Sequence, residues 1–155
     1  MYLPDPAEVL RQLAGLVRPG GIVAFHEYQV KFRPPSVPGP VALWEQFLAW
    51  MVSAFERVGV ETEMGLKLHS AFTAAGLPRP QTRMDVHLMG PDDPLGPRVG
   101  AHSLRSLLPV MERFGLARAE EVGIETFAER LHAALVADGA MTCWPPLVGA
   151  WTRVP

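Results

Sequence analysis

The chain opens with a helix bracketed by prolines and followed at once by an apolar strand, and this pairing limits its fold more than any other feature. Asp5 reads as an N-cap, Pro6 suits the first helical position, and Glu8 falls where a capping box needs an acid. Val9, Leu10, Leu13, Leu16 and Val17 then recur at helical spacing. Arg18 falls in the predicted last turn, and Pro19-Gly20-Gly21 is the predicted stop. The next run, Ile22 to Phe25, is apolar without alternation, which predicts a strand buried on both faces as in a parallel sheet. It leaves the core through two polar residues, His26 and Glu27.

Residues 31–40 carry Pro34, Pro35, Pro38 and Pro40, a stiff connection with few backbone donors. A helix is predicted over residues 41–58, with Trp44, Phe47, Leu48, Met51, Phe55 and Val58 on one stripe. Leu43, Trp50 and Ala54 widen that stripe beyond what a one-sided surface helix needs. A further helix runs over residues 63–75, with Gly76 as its C′ residue. Thr82, Met84, Val86 and Leu88 alternate with polar residues, predicting a half-exposed strand near a sheet edge. Residues 90–100 read as a loop. Helices follow at 103–114, where Pro109 predicts a kink or a later start, and at 124–137, stopped by Asp138-Gly139. The final strand is predicted over residues 147–154. Helices and strands mixed in this order predict an α/β fold with helices covering a sheet.

At 155 residues the chain reads as a single domain, 1–155. Hydrophobic residues make up 48% and charged residues 19%, so a sizeable core is expected and wholesale disorder is not. The net charge of -2 and the scattered arginines supply no single-sign field for nucleic acid or an anionic membrane. Cys143 is the one cysteine, which excludes an intrachain disulfide and a Cys-based metal site. A cytoplasmic, reducing compartment is the expectation. No signal-peptide pattern opens the sequence, and no apolar stretch has the length to span a bilayer.

The run LPDP, leucines at helical spacing, RPGG and an apolar strand ending in an acid resembles class I S-adenosylmethionine-dependent methyltransferases that act on small molecules. The resemblance identifies this run with the helix before the family's fifth strand and with that strand. The segment from Glu63 to Ala74-Ala75-Gly76-Leu77 is similar to the family's next helix and its AGL turn. The alternating strand and the strand over residues 147–154 match the sixth and seventh. The implied fold is an incomplete one: the last three strands, the final one antiparallel between the other two, with covering helices. The family's glycine-rich cofactor loop and its ribose-binding acid have no counterpart, because no Gly-x-Gly-x-Gly stands between a strand and a helix here. Met1 falls where the fourth strand would be ending, so the sequence reads as an internal start or truncated frame of a longer enzyme. The edge of the Ile22–Phe25 strand would then be unpaired, and a homodimer or an N-terminal partner chain is expected to cover it.

The resemblance implies S-adenosylmethionine as cofactor and a small apolar or aromatic methyl acceptor. His26 and Glu27 are the candidate catalytic residues, since ligands of open α/β sheets bind beyond the carboxyl ends of strands. An acceptor nucleophile there needs alignment and sometimes a base. The alternative is that both are polar residues where the strand leaves the core. Tyr2 and Leu3 match the region beside the cofactor's methionine part, or are frayed terminal residues. Tyr28 with Trp44, Phe47, Trp50 and Met51 are candidate substrate contacts, residues 31–60 then forming a Pro-rich loop and lid-like helix. The same aromatic stripe also suits core packing or a dimer interface. His69, His87, His102 and His132 lack paired metal-ligand spacing, so no metal is expected. Asp92 and Asp93 read as turn residues. Two alternatives stay open: a module of a different class, inactive and serving binding or assembly, and one half of a split methyltransferase.

Overall fold

A computed structural model describes residues 2–155. The chain, which reads as one domain, gathers into two compact units. The first comprises the residues up to Phe32, Glu61–Val86 and Pro145–Pro155. The second comprises Arg33–Val60 and His87–Trp144, two stretches that interrupt the first unit in sequence.

In the first unit, α1 (Pro6–Ala14), β1 (Ile22–Tyr28), α3 (Met64–Ala74), β2 (Gln81–Asp85) and β5 (Leu147–Arg153) form a small α/β layer. The sheet order is β1-β5-β2, and β5 runs antiparallel to both neighbours, so β1 and β2 are parallel to each other. Register pairs Phe25 with Ala150 and Ala150 with Thr82. One face of β1 and β5 is covered, while all five residues of β2 are exposed. On the covered face Val23, Val148 and Ala150 meet Leu10 of α1 and Leu68 and Phe72 of α3 in one core. Phe25 closes that core edge-on against Phe72, with ring centroids 6.4 Å apart.

β1 corrects the expectation of a strand buried on both faces. It alternates: Val23 is buried and Phe25 and Glu27 half-buried, while Ile22, Ala24, His26 and Tyr28 are exposed. The strand lies at the sheet edge, and among the described residues no helix hides its second face.

Asp5 caps α1 by accepting the Glu8 N–H at 3.0 Å, as its sequence predicts. The Glu8 carboxylate turns instead to Arg11 and Gln12. The helix ends at Ala14 rather than beside Arg18, since Gly15 follows and the chain tightens into turns. α3 ends as predicted: Gly76 has φ +80°, its N–H reaches Thr73 O, and the Leu77 N–H reaches Phe72 O, a Schellman stop.

The second unit holds α2 (Ala42–Arg57), α4 (Leu95–Arg113), α5 (Ala119–Val122), α6 (Phe127–Asp138) and a short ribbon of β3 (Leu88–Met89) and β4 (Thr142–Cys143). Its centre is aromatic. Trp44 stacks on Phe47 at 4.8 Å, and Trp144 meets both edge-on at 5.2 and 5.4 Å. α4 starts eight residues before its predicted start, inside the expected loop. Asp93 accepts the N–H groups of Leu95 and Gly96, and Pro97 sits in the first turn, where a missing N–H costs nothing. The helix runs on through Pro109. The alternation from Thr82 to Leu88 is likewise divided, β2 stopping at Asp85 and Leu88 entering the ribbon.

Candidate functional site

The candidate site lies on the covered side of β1, at its carboxyl end. Successive strand residues face opposite sides, so the side chain of Glu27 follows Val23 and Phe25 toward the helices. There Glu27 lines a cleft with Leu3, Pro6, Val9, Leu10, Phe25, Met64 and Leu68. The lining is apolar apart from this one carboxylate. Its volume is about 20 Å³, room for about one water molecule.

The structure brings Leu3 and Glu27 together and separates Glu27 from His26. The two neighbours occupy opposite faces, so they do not act on one ligand atom as a pair. His26 lies on the open face, its ring over Gly149, whose missing side chain leaves the space; a Cβ there would stand 2.9 Å from Nε2. Tyr28 shares that open face and is 44% exposed. Tyr2 is 70% exposed and does not line the cleft.

Trp44, Phe47 and Met51 lie in the core of the second unit, and Trp50 is half-buried on the same helix. Trp44 and Phe47 meet Trp144, and Phe47 meets Phe127, as packing rather than an open apolar wall. Two buried polar atoms in this unit, Trp44 Nε1 and Thr142 Oγ1, have no hydrogen-bond partner.

The remaining candidates have local roles. His87 Nε2 meets Asp93 Oδ2 at 2.8 Å, and His132 Nε2 meets the Pro91 carbonyl at 2.9 Å. Burial pushes the Asp93 carboxyl up, but bonds from His87 and the amides of Gly96 and Leu95 outweigh it and hold its pKa below the usual value. Asp93 is therefore a helix cap, a stronger form of the turn role read from sequence. Cys143 is buried, which pushes its thiol pKa up and away from reactivity. Among the described residues no group of three His, Cys, Asp or Glu is arranged to hold a metal, and no helix is long and apolar enough to cross a membrane.

Sequence reasoning missed Gln29. It is 3% exposed, and its Oε1 accepts the Leu66 N–H at 3.1 Å, capping α3 from the end of β1. Only the tertiary fold brings the two together, and no local pattern signals it.

These residues do not make a complete S-adenosylmethionine site. The cleft is far smaller than such a ligand, and no glycine-rich turn follows a strand to receive it. The geometry offers a small apolar cleft with a single carboxylate at a strand end. No protein-family model matches the chain, and a search of curated proteins finds no match either.

Proposed function

We propose that these residues form the carboxyl-terminal part of a class I methyltransferase acting on a small, apolar or aromatic acceptor. The observation that carries this reading is the strand arrangement: a final strand antiparallel between two parallel ones, with α1 and α3 on one face. It agrees with the order that the RPGG-strand resemblance implies. In this reading Glu27 holds and orients an acceptor hydroxyl or amine at the mouth of the cleft. The cofactor is held mainly by a glycine-rich segment outside these residues.

The test is calorimetric titration of S-adenosylmethionine into the purified chain, with its oligomeric state recorded in the same sample. The titration is repeated with the segment encoded immediately upstream in its genome. Saturable binding only in the mixture is the expected result. No binding in either sample overturns the methyltransferase reading. Binding by the chain alone overturns the assignment of the cofactor to another segment.

The unpaired edge of β1 favours a second reading, an assembly module without catalysis. It predicts a stable oligomer that binds no cofactor in either titration.

A further inference from the structure

The outer edge of β1 has a defined parity. The Gln29 N–H donates to Pro146 O, and the Val154 N–H to Gly21 O, each at 2.9 Å. In the β1–β5 register these bonds assign the odd-numbered backbone groups of β1 to β5. The N–H and C=O of Ile22, Ala24, His26 and Tyr28 therefore point away from the sheet. Among the described residues no strand pairs with them.

Edge strands are normally guarded by lysine, proline, a bulge or shortness. β2, the other edge, is short and carries the Arg83–Asp85 ion pair. β1 has seven residues and none of these guards. Glu27, its one acidic residue, points inward to the cleft side and is the single charge that guards the strand.

We propose that a second copy of this chain occupies that edge, β1 pairing antiparallel with its own image about a two-fold axis at Phe25. The argument is the complementarity of the strand with itself. In this register Ala24 faces His26 and Ile22 faces Tyr28 as hydrogen-bonded pairs, using every outward backbone group. An aromatic residue opposite a β-branched one is a favourable cross-strand pair. Glu27 falls opposite Val23, so no charge meets its own image. Moving the axis to His26 sets that imidazole against its copy and leaves Ile22 outside the strand. The result is one continuous sheet, β2-β5-β1-β1-β5-β2. This inference needs no cofactor, and a second copy competes for this edge with any amino-terminal partner segment of the methyltransferase reading.

The experiment is sedimentation of the purified chain together with cysteine cross-linking across the proposed register. Sedimentation should give a dimer. The double variant Val23→Cys with Glu27→Cys should form a covalent dimer on mild oxidation, since non-hydrogen-bonded partners bring their side chains closest across antiparallel strands. Val23→Cys alone should not, because its partner is Glu27. Ala24→Pro removes an outward N–H without touching a bond to β5, and should convert the dimer to monomer with unchanged circular dichroism. A monomeric parent chain overturns the inference. So does a dimer in which the cysteine pair fails to cross-link, or one that a folded Ala24→Pro chain retains.

Discussion

Gln29 Oε1 accepts the Leu66 N–H at 3.1 Å and so caps α3 with a side chain thirty-seven residues earlier in the chain. The nominal N-cap, Glu63, makes no such bond. Replacing Gln29 by Ala leaves that amide without its acceptor, and should cost about 1–2 kcal/mol. The midpoint of urea unfolding measures it. A change within the error of the parent chain would mean that water satisfies Leu66 equally well.

Gly65 brings α3 down onto the sheet. A Cβ on it would stand 2.9 Å from Val148 Cγ2 and 3.2 Å from the Gln29 backbone nitrogen. Alanine is the better helix former by about 1 kcal/mol. Overpacking against a strand backbone costs about 1–3 kcal/mol. Gly65→Ala is therefore expected to destabilise the chain, and a higher melting temperature for the variant would contradict the contact.

Thr142 is 4% exposed, and its hydroxyl has no partner. Valine has the same shape and suits a strand. Thr142→Val should stabilise the chain by about 1 kcal/mol, the usual cost of a buried unpaired hydroxyl. Calorimetric unfolding of the two proteins decides it. Loss of stability would show that the hydroxyl is satisfied in solution.

Asp93 has a carboxyl pKa held below its ordinary 3.8. Its contribution is therefore fully present above 3.8, and is lost as pH falls through the lowered folded value. Asp93→Asn should cost about 0.5–1 kcal/mol at neutral pH. The gap between parent and variant should close in strong acid. Urea unfolding at a series of pH values follows this gap, and a gap that persists in strong acid would rule out the charge as its source.

Much of the first unit was legible in the sequence, because its signals are local. Asp5 and Pro6 mark the start of α1, Gly76 marks the end of α3, and Pro145-Pro146 precedes β5. The depth of β1 was not legible. An unbroken apolar run reports hydrophobicity, not which neighbours arrive, and Ile22 is 54% exposed at a sheet edge. The start of α4 was hidden because Pro94, Gly96 and Pro97 resemble a loop until Asp93 caps them. For the site, Glu27 follows from its place at a strand's carboxyl end and Leu3 from the family resemblance, and the two share one cleft. That His26 and Glu27 stand on opposite faces of β1 was readable from the two-residue period of a strand.

The place of β5 also bears on how this fold is made. β5 is the central strand of its sheet, yet Leu147–Arg153 are synthesised after every other element. While the ribosome is still adding them, β1 and β2 have emerged with no strand between them. The core of α1 and α3 lacks Val148 and Ala150 until the same residues arrive. Closure depends on contacts distant in sequence, which form slowly and leave sticky surface exposed meanwhile. A nascent chain of this design keeps two strands unjoined until β5 slides between its neighbours.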